Sequence, residues 1–307
     1  MRAIMGDRFV TSLREIRWRW AREAARHAAI SGLSLMQDAA QRIDQGPATN
    51  GIHFLYLHHV PQNELDDFRR LVSTLGRDYR FLSYSEAVRR IAGAEIDDRY
   101  VALSFDDGLA CTLKAADVLS ERGISACFFL VTSIIGVNDS EAVARFSHDR
   151  LGLSPAKFME WQDIDWLLAS GHEIGGHTRT HANLGLVSDA DAASEIEGCF
   201  DDLRRQIGAP VHFAWPFGRF AAFSAHAAAT VFQAGFKSCA SGERGCHAFV
   251  HRSDPQQLCV RRDLVAASWP ASHIRYFLRR SRRRASPLDN LWPAELAPPQ
   301  ATAGPTP

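Results

Sequence analysis

Apolar residues are distributed along the chain in two different patterns. Compact apolar runs predict strands near residues 52–60, 101–105, 126–131, 173–175, 211–215 and 258–264. Between these runs, apolar residues recur every three or four positions, which predicts helices at 65–75, 110–122, 161–169, 188–207 and 222–234. Strands that alternate with helices in this way build parallel sheets, so the pattern predicts an α/β domain.

The two ends of the chain depart from this pattern. Residues 1–50 place apolar side chains on one helical face among many arginines, and they predict a basic amphipathic helical extension with a linker. Residues 271–307 predict a short helix with a basic end and then a disordered tail rich in Pro and Ala, from which Leu291 and Trp292 are expected to dock back. The helix end carries five arginines, Arg279, Arg280, Arg282, Arg283 and Arg284. The main domain is predicted at residues 51–270.

Composition narrows the class of protein. The 307 residues have a formal net charge of zero, so charge gives no reason to expect a nucleic acid partner. The six cysteines form no CxxC pair, which suits a reducing compartment. The first 40 residues lack an apolar run long enough for a signal-peptide core or a membrane span, so a cytoplasmic protein is expected. The arginine-rich ends suit peripheral contact with the anionic inner face of a membrane, although a solvated helix face is the commoner outcome.

An apolar run of strand type at residues 101–105 leads into two adjacent carboxylates, Asp106 and Asp107, and a glycine. Neighbouring side chains at a strand end point in different directions, and Gly108 lets the backbone turn directly afterwards. Burial of two carboxylates is costly unless they meet a cation or a hydrogen-bond network. A helix N-cap role explains Asp107 but leaves Asp106 unexplained. This stretch is therefore a candidate functional site.

Two histidines four residues apart, His177 and His181, follow a short strand-like segment at 173–175. Neutral imidazole is the commonest metal ligand, and this spacing can aim both rings at one point. One Asp and two His form a three-ligand set that leaves a position open for water, as a catalytic zinc requires. Alone, His-x-x-x-His is a weak signal in a chain with 13 histidines. Together with the Asp-Asp-Gly strand end it is much stronger.

These stretches resemble the polysaccharide deacetylases, the NodB-homology group also called carbohydrate esterase family 4. Residues 104–108, Ser-Phe-Asp-Asp-Gly, are similar to the first family motif, and residues 177–181, His-Thr-Arg-Thr-His, to the second. Residues 213–218, Phe-Ala-Trp-Pro-Phe-Gly, resemble the third motif in part. The resemblance extends over about residues 52–265, so 51–270 is interpreted as the catalytic domain.

The resemblance implies a distorted, TIM-like (β/α) barrel with Asp106 as general base. It also implies a divalent metal, zinc by default with cobalt, nickel or manganese as alternatives, held by Asp107, His177 and His181. Such a metal lowers the pKa of a water to about 7, which suits attack on an amide. Substrate contacts are expected from the opening strand and from the third motif, namely from His58, Trp215, Pro216, Phe217 and Gly218. The polar segment 136–157 predicts a loop that either bounds a substrate groove or forms a surface excursion.

The sequence departs from the family pattern in two places. The third motif has Ala214 where many members carry the arginine that orients the base. A late Leu-x-His motif, which supplies the general acid in many members, has no clear match. His247 and His251 are the nearest late histidines, and each is more typical of an ordinary loop. These departures leave open an inactive, carbohydrate-binding protein.

Three functions follow from this reading. The first is metal-dependent removal of an N-acetyl group from an N-acetylated sugar in a glycan or glycolipid, with a nucleotide- or lipid-linked saccharide preferred as substrate. The second is a related amidohydrolase acting on another C–N bond, such as a formamide or imide. The third is the catalytically impaired carbohydrate-binding protein. The sequence does not specify the sugar or the oligomeric state.

Overall fold

The computed structural model describes residue 32, residues 50–249, residue 256, residues 258–287 and residues 291–298. The helical extension predicted at residues 1–50 therefore lies outside the described residues, apart from Gly32 and Asn50. His251 also lies outside them. No helix among the described residues is long and apolar enough to cross a membrane.

Parallel strands form the centre of the domain. The described residues contain β1 (Gly51–Leu57), β2 (Arg80–Phe81), β3 (Arg99–Phe105), β4 (Ala126–Leu130), β5 (Glu173–Gly176), β6 (His212–Ala214), β7 (Ser238–Ala240), β8 (Cys259–Val260) and β9 (Arg262–Leu264). Their order is β8-β7-β6-β5-β4-β3-β1-β9, and the short β2 pairs with the start of β3. Every pairing between these strands is parallel.

The two outermost strands of this order, β8 and β9, are separated in the chain by Arg261 alone. The sheet therefore curls until it nearly closes, and the fold is a distorted TIM-like barrel, as predicted. The single strand expected at 258–264 is wrong in one respect, because the segment divides in two. Its first part pairs with β7 and its second part with β1, so no one straight strand satisfies both neighbours.

Helices connect the strands on the outside of the barrel. They are α1 (Leu65–Asp78), α2 (Tyr84–Ala92), α3 (Leu113–Ser120), α4 (Ser140–Leu151), α5 (Trp161–Ala169), α6 (Asp189–Ile207), α7 (Ala225–Ala234) and α8 (Ala271–Arg283). Alternation along β1 divides the core into two layers. Phe54 points into the barrel, where the buried Tyr84 at the start of α2 contacts it and plugs the interior. Leu55 and Leu57 point outward and pack under α1 and α3.

The loop predicted at 136–157 is wrong, because most of this segment is helix α4. Asp139 caps the helix by accepting hydrogen bonds from the backbone N–H groups of Glu141 and Ala142. Gly152 ends it in a left-handed conformation, with φ of 63°. Apolar residues of the segment pack with Phe158 in a small separate cluster, which explains why a largely polar stretch is helical.

The C-terminal part is more ordered than the sequence predicted. Helix α8 buries Ile274 and Leu278 in the outer core. The structure also differs from the expectation of a disordered tail at residues 291–298. Trp292 is buried there and stacks on Trp215 with ring centroids 5.8 Å apart, which is the docking that the sequence suggested.

Candidate metal centre

Strand β3 ends at Phe105 and delivers the two carboxylates to the carboxyl end of the barrel. Asp107 and Gly108 both take positive φ angles, 75° and 70°, so the chain turns sharply after Asp106. A Cβ at Gly108 would lie 2.8 Å from the side chain of Ile135, which explains the glycine. Because the strands are parallel, the end of β5 opens onto the same face, and His177 follows it directly.

Asp107, His177 and His181 converge at this face. Oδ1 of Asp107 lies 3.5 Å from Nε2 of His177 and 3.5 Å from Nε2 of His181. One ligand atom from each residue lies within 4.8 Å of the others, and no second group of this kind occurs among the described residues. The side chains of all three are almost completely buried.

The surroundings of these side chains fit a divalent cation. Nδ1 of His177 donates a hydrogen bond of 2.7 Å to the carbonyl oxygen of Ala214, so Nε2 is the ring nitrogen that faces Asp107 and would bind a metal. Oδ1 of Asp107 is buried and has no hydrogen-bond partner in the described part of the chain. A buried, unsatisfied carboxylate oxygen is costly, and a cation between the three side chains would satisfy it. An Asp-His-His set is typical of catalytic zinc, but it does not exclude other divalent metals.

The protonation preferences of the three residues also suit metal binding. Burial alone would raise the pKa of Asp107, but the neighbouring His177 and further histidines lower it far below its usual value. Burial and the neighbouring His177 lower the pKa of His181 to about 4, so this imidazole is neutral near pH 7. Burial lowers the pKa of His177, but the interaction with Asp107 outweighs burial and raises it. The cluster thus presents an ionised carboxylate and at least one neutral imidazole.

The second carboxylate, Asp106, is held by an arginine that lies 156 positions later in the sequence. Arg262 in β9 donates two hydrogen bonds to Asp106, at 2.8 Å to Oδ1 and 2.9 Å to Oδ2. Both side chains are almost completely buried. Arg262 also donates to the carbonyl oxygen of Ser241, and its guanidinium lies over the ring of Tyr56 at 4.5 Å. Burial would lower the pKa of Arg262, but Asp106 raises it, so the pair is a fixed ion pair.

Backbone strain is concentrated at the same end of the barrel. Five non-glycine residues with a positive φ occur among the described residues, and four of them line this region. These four are Asp107 (75°), Thr178 (64°), His181 (60°) and Phe217 (64°). Such a conformation costs on the order of 1–3 kcal/mol per residue and persists only where neighbours enforce it.

An open cleft of about 1050 Å³ surrounds the carboxylates and histidines. Its lining includes His58, Trp215, Phe217 and Gly218 from the predicted substrate contacts, together with residues from the end of α4. Phe217 is 56% exposed and lies over His181 with ring centroids 5.0 Å apart. Trp215 is fully buried and stacks on Phe223 at 4.2 Å. One aromatic ring of the turn therefore faces inward and the other faces the cleft.

Residues 93–237 match the model of the polysaccharide deacetylase family. These residues belong to a polysaccharide deacetylase domain. This match contains Asp106, Asp107, His177 and His181, whereas Arg262 lies beyond it.

Curated relatives of the deacetylase domain include a chitooligosaccharide deacetylase from a Bradyrhizobium species, 29% identical over 136 residues. That alignment covers 43% of this chain and 52% of the relative. A peptidoglycan-N-acetylglucosamine deacetylase from Bacillus cereus is 31% identical over 121 residues, which are 38% of this chain and 36% of the relative. The chain thus spans about half or less of the length of the curated relatives it matches.

Solved structures share the fold of the deacetylase domain. IcaB from Ammonifex degensii superposes with a TM-score of 0.61 at 21% identity, covering 74% of this chain and 97% of that one. The deacetylase PplD from Streptococcus pyogenes superposes with a TM-score of 0.59 at 16% identity, covering 80% of this chain and all of the other. Both superpositions cover more of the chain than the matched family segment does.

The remaining predicted residues are placed as follows. Pro216 is buried in the Trp-Pro-Phe-Gly turn and is not part of the cleft lining. Gly218 has a φ of 65°, and a Cβ there would lie 2.5 Å from the backbone nitrogen of Gly242. His247, considered as a late proton donor, is 1% exposed and lies outside the cleft lining. Its Nε2 accepts a hydrogen bond from the backbone N–H of Arg261.

Arg262 is the residue of the candidate site that sequence reasoning missed. The predicted strand at 258–264 contained two arginines in an otherwise largely apolar run, and a buried arginine nearly always has an anionic partner. The sequence therefore indicated a buried arginine in this strand, but it did not indicate which carboxylate the arginine pairs with. Ala214 has no polar side chain to hold Asp106, and Arg262 makes that contact from β9, which is separated from β3 only by β1.

Proposed function

We propose that the domain is a metal-dependent hydrolase that removes the N-acetyl group from an N-acetylated sugar. The observation that carries this proposal is the convergence of Asp107, His177 and His181 beside a second carboxylate, Asp106, that is locked by Arg262 in an open cleft. Its support also includes two curated relatives described as deacetylases of N-acetylated saccharides.

In this proposal Asp107, His177 and His181 hold the cation and Asp106 acts as the general base. A bound divalent cation supplies a water of lowered pKa and polarises the acetyl carbonyl. Asp106 takes a proton from the attacking water as the new C–O bond forms. Arg262 occupies one lone pair of each Asp106 oxygen and thereby fixes the direction in which the carboxylate accepts that proton.

The amide nitrogen must gain a proton as the C–N bond breaks, because a free amide anion is too poor a leaving group. We assign this role to His58, which follows β1 at the carboxyl end of the barrel and is half-buried in the cleft wall. It lies close enough to Asp107 and His181 for its charge to lower the pKa of both. His226 of α7 is exposed outside the cleft lining and serves as a control.

The substrate contacts of the proposed enzyme come from the Trp-Pro-Phe-Gly turn. The exposed face of Phe217 is suited to the apolar face of a sugar ring, while Trp215, Pro216 and Gly218 hold the turn in place. N-acetylglucosamine in a glycan or glycolipid is the preferred substrate, and zinc is the preferred metal over cobalt, nickel or manganese.

A lipid- or nucleotide-linked saccharide at the cytoplasmic face of a membrane is the finer form of the proposal. Its support is the basic end of α8, where Arg280, Arg283 and Arg284 are exposed. Anionic headgroups attract such clusters with about 1 kcal/mol per basic residue near the surface. Retention of the full chain on vesicles with anionic lipid, but not on neutral vesicles, is the expected result.

The experiment is a substrate panel with the zinc-loaded full chain. We expect acetate release from N-acetylglucosamine oligosaccharides or lipid-linked N-acetylhexosamine, and a fall of at least about 100-fold in His58→Gln with near-normal rates in His226→Gln. Formate release from formamides or ammonia release from imides, with no acetate, would replace the proposal by the related amidohydrolase. Saccharide binding without any turnover would favour the carbohydrate-binding protein.

A further inference from the structure

The loop that joins the two histidines, residues 177–181, is supported from outside the barrel. Two of its five residues, Thr178 and His181, have left-handed backbone conformations, and Thr178 is β-branched. A short loop in this state needs neighbours that fix it, because the extended and right-handed conformations are otherwise favoured. Helix α6 packs beside the loop and supplies those neighbours.

Three residues of α6 face the loop, Glu195, Gly198 and Asp202. Their spacing of three and then four residues places them on one side of the helix. Glu195 makes the most direct contacts. One carboxylate oxygen accepts the backbone N–H of Thr180 at 2.8 Å, and the other accepts its hydroxyl at 2.7 Å.

The backbone of Glu195 adds a further bond, because its carbonyl oxygen accepts the N–H of Arg179 at 3.2 Å. Arg179 then crosses α6 at Gly198, where a Cβ would lie 2.3 Å from the arginine Cδ. It ends at Asp202, to whose carboxylate its Nε donates at 3.2 Å. Helix α6 therefore holds Arg179 and Thr180, the two residues that immediately precede His181.

We propose that Glu195 is a positioning residue that holds His181 in the orientation required for metal binding. Both carboxylate oxygens are used as acceptors, so an ionised glutamate fits the two donors of Thr180. A glutamine keeps the size but turns an NH₂ group toward one of these donors. The inference rests on the metal centre of the proposed function, and it adds a residue that touches neither cation nor substrate.

The test is zinc affinity of the full chain, measured by competition with a chelator. Glu195→Gln is expected to weaken zinc binding by about 10-fold, the lower end of the effect of residues that orient metal ligands. Glu197→Gln, an exposed glutamate of the same helix, is the matched control and should bind zinc like the wild type. Thr180→Val removes one of the two bonds and should weaken binding, whereas Thr180→Ser should restore it.

Wild-type zinc affinity in Glu195→Gln and in Thr180→Val would overturn the inference. A role in stability alone would lower the melting temperature of the metal-free protein without changing zinc affinity, and that outcome would overturn it as well. If Glu195→Gln does not fold, Thr180→Val and Thr180→Ser decide the question. Failure of the wild type to bind zinc would instead remove the metal centre itself, so the two failures are distinguishable.

Discussion

The two ends of the barrel each place histidine beside a carboxylate, and they differ in how far their polar atoms are satisfied. At the amino end, both ring nitrogens of His212 are hydrogen-bonded: Nδ1 shares a hydrogen bond of 2.7 Å with the hydroxyl of Ser238, and Nε2 lies 3.1 Å from the accepting carboxylate of Glu173. Glu173 also accepts the backbone N–H and the hydroxyl of Ser85 at the start of α2. This group ties the start of α2, whose Tyr84 fills the barrel interior, to the strands β5 and β6.

At the carboxyl end, the hydrogen bonds among the described residues do not satisfy every polar atom of the group. Oδ1 of Asp107 is buried without a hydrogen-bond partner in the described chain, and it lies 3.5 Å from each of His177 and His181, too far for a good hydrogen bond. Strained backbone is also concentrated here, whereas no residue of the amino-end group has a positive φ.

The two groups therefore differ in how far their hydrogen bonds close. A group whose hydrogen bonds close on themselves gains stability and has nothing left to offer a ligand. A group that leaves a buried oxygen unsatisfied on a strained loop is retained at a cost, which a bound cation offsets. Residue type alone does not distinguish the two ends, because both place a histidine beside a carboxylate.

The largest expected effect is on turnover at the carboxyl end. Asp106→Asn removes the proposed general base, so the rate of acetate release should fall by about 10²–10⁴-fold while zinc remains bound. Ser85→Ala at the amino end should leave the rate within a few-fold of the wild type. Steady-state kinetics with a parallel zinc assay measures both. Unchanged turnover in Asp106→Asn would exclude its role as the base.

The next effect concerns the stability of the buried pair between Asp106 and Arg262. Arg262→Met leaves a buried carboxylate without its partner, which should lower the free energy of unfolding by about 3–5 kcal/mol. Arg275→Met, which breaks a half-buried pair with Asp78, should cost less than about 1 kcal/mol. Urea denaturation compares the two variants.

A second substitution sharpens this test. Asp106→Asn in the Arg262→Met background removes the unpaired charge, so part of the lost stability should return. Equal stability of Arg262→Met and the wild type would mean that the ion pair contributes nothing to the fold.

Glu173 at the amino end should make the free energy of unfolding depend on pH in the acidic range. Burial raises the pKa of Glu173, but His212 and Ser85 lower it to about 2 in the folded state, below the ordinary value of 4.5. A depressed pKa of an acid stabilises the folded state above pH 4.5, and this contribution is lost as the pH falls toward 2. Its size is at most about 3 kcal/mol.

Glu173→Gln should therefore flatten the dependence of unfolding free energy on pH between 4.5 and 2, as chemical denaturation at a series of pH values would measure. An unchanged slope in this variant would assign the acid sensitivity to other carboxylates.

The smallest expected effect comes from the strained Phe217. Phe217→Gly relieves a positive φ at an exposed position, so the free energy of unfolding should rise by about 1 kcal/mol. Phe217→Ala keeps the Cβ and its strain, and both variants should raise KM because the sugar platform is gone. Destabilisation in the glycine variant would mean that the ring contributes more to packing than its 56% exposure indicates.

Local sequence carried most of the information about the site. Asp106, Asp107, His177 and His181 directly follow strands, and parallel strands bring their carboxyl ends together, so their convergence follows from short motifs.

Short motifs could not predict contacts between residues that lie far apart in the sequence. Arg262 and Asp106 are separated by 156 positions, and they meet only because the segment 259–264 closes the barrel. The same closure divides the last predicted strand into β8 and β9. Helix α4 was missed because its apolar residues pack in a small cluster of their own, which gives a weak periodic signal.

Metal content is the most direct test of the central claim that Asp107, His177 and His181 bind one cation. The full chain, loaded with zinc and dialysed, should retain about one equivalent by mass spectrometry of the metal. His177→Gln and Asp107→Asn should lose it, and His212→Gln at the amino end should keep it. Zinc retained in the first two variants, or absent from the wild type, would contradict the account.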